Sequence, residues 1–323
     1  MGFIGKLFGN STPRLESPDD DPEAKRLRFA QQKNDWKTVQ AFFSQATNLI
    51  DREFYVGKLT EWKQRPTFFD AWVEGNSECP EAWLLRGAHG IQWAWEARTG
   101  AQAEQVPEEA WAIFFERLKN AWSDLNHAIE LNPKDATPFG FLIPCAMGLQ
   151  MEKEIVFQCL ENALARSMVS WQAHSATLYY LCKKWHGSHE EMFEFVRGVS
   201  ASAPDGSGYH ALIPIAHHER YLYAFAFDRD KEFANAYYDQ PEIRREIVDA
   251  YHRSLGSRAY KPDKNTRLQS GFFSLALVQC QAFRQAHTEL ERLNNIVPEY
   301  PWRHYGDPIE RFSQAKEIAK RNM

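Results

Sequence analysis

The residues that could do chemistry are first of all the histidines. Eleven are present, and the densest groups are His186 and His189 with Glu190, and His217 and His218 with Glu219. A zinc or transition-metal site needs three or four such ligands converging in space, usually at i, i+3 or i+4 on a helix. HGSHEE spreads its histidines across a predicted helix start, with Ser188 and Glu191 spaced as a capping box, and HHER puts adjacent histidines on different helix faces. Nucleophilic chemistry is no better supported. No GxSxG occurs, no glycine-rich loop precedes Lys-Ser/Thr, and SAPDGSG (202–208) has the composition of a turn. The carboxylate runs Glu108-Glu109 and Asp19 to Asp21 read as solvated. The sequence therefore calls for no cofactor and no metal, and a metal-dependent or hydrolytic enzyme built on the His-rich region 186–219 stands as the alternative.

A second group suits recognition. In GIQWAWEAR (90–98), Trp93 and Trp95 point about 200° apart on a helix, so one packs in the core while the other faces a groove. Glu96 and Arg98 follow, a loop-like stretch RTGAQAEQVPEE (98–109) begins beside them, and Trp111 lies just beyond. Arginine and tryptophan in a partly desolvated groove are the usual anchors of a protein interface. Trp93, Trp95, Glu96, Arg98 and Trp111 are thus the candidate partner-binding residues. The competing arrangement packs both tryptophans against the next helix and leaves Arg98 to cap a helix C-terminus.

The elements that must carry these residues are helices. From Trp36 the apolar positions Val39, Phe42, Phe43, Ala46, Leu49 and Ile50 recur at three and four, with Asn34 or Asp35 as cap, and no alternating strand pattern of useful length occurs. In AWSDLNHAIELNPKD (121–135), Ala121, Leu125 and Ala128 are followed by Pro133. The same four, three and five spacing recurs at Met192, Val196, Val199, Pro204 and at Ala286, Leu290, Leu293, Pro298. Val156, Leu160 and Ala163 repeat it with Met168 in place of the proline. The unbroken apolar set from Trp111 through Ile129 predicts one long helix from about Pro107 to Leu131. Residues 226–268 break the period and read as two short helices split at Gln240-Pro241, then a polar loop; Asp307, Pro308 and Glu310 open a last helix, Ile309 to about Lys320, that caps the array.

These residues resemble the tetratricopeptide-repeat superfamily, and more narrowly a bacterial family of degenerate repeats. The narrower likeness rests on PEAWLLRGAHGIQWAWEARTG (80–100), SDLNHAIELNPKDATP (123–138) and KKWHGSHEEMFEFVRGVSASAPDGS (183–207), and covers roughly 35 to 320. Departures are Arg86 where the repeat usually has Leu, Gly90 where it has an aromatic, and the extra residues between Gly87 and Ala121. The resemblance implies an all-α, TPR-like helical-repeat solenoid, with antiparallel helix pairs forming a right-handed superhelix, in a cytoplasmic bacterial protein. It carries no reaction. The domain organisation expected is a flexible tail and linker (1–24), then a single solenoid domain (25–323) with insertions near 98–119 and 226–268.

Composition bounds the partners. The chain has 323 residues, 44% hydrophobic, which suffices for a sizeable core, and a formal net charge of −5 that offers no basic field for nucleic acid. Five cysteines at no metal-type spacing fit a reducing compartment. No apolar stretch of about 18 residues is present, so no transmembrane segment is expected; Phe3, Ile4, Leu7 and Phe8 leave room for weak membrane-surface contact by the N-terminal tail. The function expected is a non-catalytic protein-protein interaction module that holds a protein partner on the solenoid surface, as an adaptor, a chaperone-like protein or an immunity or inhibitor protein.

Overall fold

A computed structural model describes residues 12–46, 48–98 and 105–323. The tail residues Phe3 to Phe8 and residues 99–104 of the 98–109 stretch lie outside the described residues. The chain is all-α, with sixteen α-helices and a single pair of two-residue strands among the described residues. No described helix is long and apolar enough to cross a membrane. The described chain divides into two compact units, 18–194 and 195–323 together with 12–17, and the boundary falls within one helix.

The unit 18–194 holds α1 (Pro22–Gln32), α2 (Trp36–Gln45), α3 (Leu49–Thr60), α4 (Thr67–Gly75), α5 (Pro80–Arg98), α6 (Glu108–Leu131), α7 (Thr137–Gly148), α8 (Lys153–Arg166), α9 (Trp171–Tyr180) and the start of α10 (His189–Ser202). Side-chain oxygens set the starts: Asp21 caps α1, Asp35 caps α2, Asn48 caps α3 and Ser170 caps α9. Ser188 accepts from the Glu191 N–H at 3.1 Å, half of the predicted capping box.

α5 and α6 make the most intimate helix pair. Trp83 meets His127, Arg86 meets Asp124, the Trp93 carbonyl meets Arg117 and Trp95 meets Phe114. As one number rises the other falls, so the helices run antiparallel. Small residues allow the approach: a Cβ on Gly87 would lie 2.9 Å from Leu125 Cγ and 3.0 Å from the Ala121 carbonyl oxygen, and one on Gly90 would lie 3.1 Å from Ala121 Cβ. Ala121, Leu125 and Ala128, each at most 1% exposed, form the buried seam that the spacing predicts. Arg86, a charged residue in this seam, is explained by its neighbours. It donates to both oxygens of Asp124 at 2.7 Å and lies 4.6 Å over the Trp83 ring.

A carboxylate ties α3 to α9. Glu53, 7% exposed, accepts from the Ser170 hydroxyl and, at 3.0 Å, from the Gln172 N–H. Burial raises its carboxyl to about 7 in spite of these donors.

The other unit holds the rest of α10, α11 (Leu212–Tyr223), α12 (Lys231–Ala236), α13 (Pro241–Arg253), α14 (Thr266–Gln279), α15 (Phe283–Arg292) and α16 (Pro308–Arg321). A π-turn at Ala224–Asp228 leads into α12, and α12 and α13 are the two short helices expected on either side of Gln240-Pro241. Ala286, Leu290 and Leu293 are buried, and Asp307 caps α16 by accepting from the Glu310 N–H at 2.9 Å. A fully buried carboxylate, Glu289, organises this core: it accepts from Ser270, Tyr251 and Arg292.

One expectation is corrected here. The segment after residue 10, read as a linker on its polar and proline-rich composition, contains β1 (Arg14–Leu15), which pairs in parallel with β2 (Ile296–Val297). Glu16 accepts from Arg267 at 2.8 Å, and Pro18–Asp20 form a short 3-10 turn before α1. The ordered chain thus starts before Pro22. Two residues carry no detectable alternation, which is why the pairing was invisible in the sequence.

Two outcomes are expected. Gly87→Ala should destabilise the protein by about 1–2 kcal/mol because overpacking against the α6 backbone outweighs the roughly 1 kcal/mol gain in helix propensity. Gly57→Ala, whose new Cβ meets nothing within 4 Å, should stabilise it by about 0.5–1 kcal/mol; urea denaturation of both checks the pair. The second outcome concerns Glu53. Its carboxyl rises in the folded state from an ordinary 4.5 to about 7, so the folded chain binds more protons and stability falls as pH rises through that window. Glu53→Gln removes this titration: the stability of the parent relative to the variant should decline from pH 4.5 to 7 and level off above, and parallel profiles would show that Glu53 does not titrate there.

Candidate functional site

The last two turns of α5 divide their aromatic residues between two places. Trp93 lies under Arg117, whose guanidinium carbon is 3.4 Å from the ring centroid and whose Nη1 donates to the Trp93 carbonyl at 2.7 Å. Arg65 stands 5.5 Å from the same ring, itself paired with Asp70. Trp95 points elsewhere, edge-on to Phe114 at 4.9 Å. Both indoles thus pack against α6, as in the competing arrangement, through different partners, and both stay partly exposed.

Arg98 ends α5 among three indoles. Its guanidinium carbon lies 5.4 Å from the Trp95 ring, 5.1 Å from Trp111 and 5.7 Å from Trp185. Trp111, on the first turn of α6, is fixed against Phe114 and stacked on Phe115, and Trp95 meets Trp185 edge-on at 5.4 Å. Burial lowers the Arg98 pKa, yet a guanidinium keeps its proton in this range. Each such contact contributes about 0.5–1 kcal/mol when exposed and more when desolvated. The arrangement holds a charged, planar, multi-donor group in one orientation while leaving it half-buried rather than sealed.

The structure thus brings together Trp95, Arg98 and Trp111, sets Trp93 in a separate arginine cluster, and leaves Glu96 exposed outside both. Trp185 was missed. It arrives from the segment between α9 and α10, where its N–H donates to the Cys182 carbonyl at 2.8 Å, and no local spacing links it to residues 95–111. Gly148 assists from α7: a Cβ there would lie 2.5 Å from Leu118 Cδ1 and 3.3 Å from Trp95.

Three of the four clustered histidines, His186, His217 and His218, bond to protein groups. His186 stacks on Tyr180, and its Nε2 lies 3.0 Å from the Met147 carbonyl. His217 uses both ring nitrogens, Nδ1 with the Tyr237 hydroxyl at 2.8 Å and Nε2 with Glu246 at 3.2 Å. Burial would raise the Glu246 carboxyl, but the fork from Arg197 and the contact with His217 hold it at about 2. Burial pushes the His217 pKa down. His218 pairs with His304 at 2.8 Å and touches the Tyr305 hydroxyl at 3.4 Å. Among the described residues no group of three or more His, Cys, Asp or Glu is arranged to hold a metal.

One nucleophile-like pair also comes into view. The Ser200 hydroxyl lies 2.8 Å from His210 Nδ1, and His210 Nε2 lies 3.1 Å from the Pro204 carbonyl. The geometry suits a serine donating to a neutral imidazole. Ser200 is only 7% exposed and His210 is fully buried, so the pair anchors the α10–α11 turn and offers a substrate no approach.

Searches against protein-family models and against curated proteins gave no match. The expected consequence of the histidine geometry is direct. With these imidazole nitrogens committed to protein partners, the purified chain should carry well under one zinc per molecule and its melting temperature should not respond to chelator; about one metal per chain by elemental analysis would contradict this.

Proposed function

We propose that this chain is a TPR-like protein-interaction module, a degenerate helical-repeat solenoid that holds a protein partner without catalysing a reaction. Support comes from the apolar seam shared by α6, α10 and α15 at one spacing, and from the antiparallel packing of α5 on α6. The observation that carries the functional part is the Arg98 guanidinium held among Trp95, Trp111 and Trp185. Arginine and tryptophan dominate interface energetics, and a side chain already ordered by its neighbours loses little further entropy on binding. The partner is a protein rather than nucleic acid, in keeping with the acidic balance of the chain. The five described cysteines are buried and form no disulfide among the described residues, consistent with the cytoplasmic location we propose.

The enzyme reading based on residues 186–219 has less support, because His186 and His217 are engaged by carbonyl, tyrosine and carboxylate groups and no three ligands converge among the described residues. An adaptor, a chaperone-like protein and an inhibitor or immunity protein all fit the interaction reading.

Arg98→Ala should weaken partner binding by about 2 kcal/mol or more, roughly thirtyfold, while Glu96→Ala leaves it unchanged. The melting temperature of Arg98→Ala should move by only a few degrees, since the group it removes is half exposed. Titration calorimetry with the partner recovered from host lysate measures both variants. Equal affinity of Arg98→Ala and the parent would move the interface elsewhere.

A further inference from the structure

A cleft of about 520 Å³ opens in the unit 18–194 at the helix ends opposite in sequence to the Arg98 cluster. Its walls come from three inter-helix turns: α2 to α3, α6 to α7 and α8 to α9. The α3 and α7 N-termini open onto it, capped by Asn48 and by Asp135, the latter accepting from the Thr137 N–H at 2.9 Å. These ends add a weak positive field. The side chains supply the stronger signal.

The acceptors in the cleft are already engaged. Arg52 donates to Asp135 at 2.6 Å and to Glu81 at 3.1 Å, and its third nitrogen donates to the Phe43 carbonyl. The donors are not. Lys134 is exposed and its ammonium makes no ion pair among the described residues. Arg166 lies 4.2 Å over the Phe139 ring and spends Nε on the Pro133 carbonyl and Nη1 on Asn162, which leaves Nη2 without a hydrogen bond among the described residues. Both Arg166 and Lys134 line the cleft. Asn132, whose carbonyl oxygen already caps the Lys134 N–H, retains its amide donors, and Ser167 its hydroxyl. Three cations, Arg52, Lys134 and Arg166, face two carboxylates, Glu81 and Asp135, which leaves an excess of one positive charge and a surplus of donors.

We propose that this cleft binds a small phosphate monoester, with Lys134 and Arg166 Nη2 on the phosphate and Leu49 and Val169 against the apolar part of the ligand. The donor geometry selects phosphate over carboxylate. A carboxylate is best held by the paired nitrogens of an arginine fork, and neither arginine here has a fork to offer. Lys134, Arg166, Asn132 and Ser167 instead offer single donors from two turns lining one cleft, a set suited to the three oxygens of a phosphate rather than to a fork-bound carboxylate. This site shares no residue with the Arg98 cluster and does not rest on the interaction reading.

Titration calorimetry of the full chain with phenyl phosphate, inorganic phosphate and benzoate tests it. Phenyl phosphate should bind one per chain, inorganic phosphate more weakly for want of the apolar contact, and benzoate at least about tenfold more weakly than phenyl phosphate. Lys134→Gln, which removes an exposed and unpaired ammonium, should weaken phenyl phosphate at least about tenfold with an unchanged melting temperature; Arg166→Gln should weaken it as much, with some loss of stability because it also gives up the bonds to Pro133 and Asn162. No saturable binding of phenyl phosphate by about 10 mM, benzoate binding as tightly, or affinity undiminished in Lys134→Gln would each overturn the assignment.

Discussion

The α5–α6 seam is the contact on which the candidate site depends. Gly87 and Gly90 let the α6 backbone approach so closely that no Cβ fits between the helices without displacement. That approach fixes the register over the whole length of the pair, from Trp83 against His127 at one end to Trp95 against Phe114 at the other. Trp111 is then carried to Arg98 by the geometry of α6 itself. Interiors are close-packed, so a shift at the glycines would be transmitted along both helices rather than absorbed locally.

Polar groups reinforce this apolar register where the chain must cross between helices. Arg86 replaces an expected leucine yet remains satisfied, because Asp124 lies opposite it in the antiparallel register. Arg52 links α3 to the starts of α5 and α7 through Glu81 and Asp135, and Glu53 on the same helix caps α9. Buried charges of this kind stabilise little in net terms, but removing one partner leaves the other uncompensated, so they discriminate strongly against alternative packings. The same engagement of acids by Arg52 is what leaves the neighbouring cleft rich in donors.

What could be read from the sequence was what local patterns encode. Asp35, Ser188 and Asp307 announced helix starts, and the apolar run from Trp111 to Ile129 announced a helix ending at Leu131, because capping and helical periodicity act within a few residues. That Trp93 and Trp95 meet different neighbours followed from the helix turn, but that both neighbours lie on α6 did not. Trp185 could not be foreseen: it reaches Trp95 across ninety positions of sequence through tertiary packing, and its own neighbourhood drew notice only for histidines. The β1–β2 pair and the Arg52 network failed to show for the same reason, since each depends on where distant segments meet. Conversely, the clustering of histidines in sequence proved a poor guide to clustering in space, because adjacent positions such as His217 and His218 take different partners.

The central claim, that the end of the α5–α6 pair is where a protein partner docks, is tested most directly by proximity. A photo-crosslinking amino acid at Glu96, exposed two positions before Arg98 on α5, should give one discrete protein adduct in host cells, and the adduct should fade when Arg98 is also replaced by alanine. The same probe at exposed Lys320 should give none. An adduct from Lys320 with none from position 96 would contradict the account.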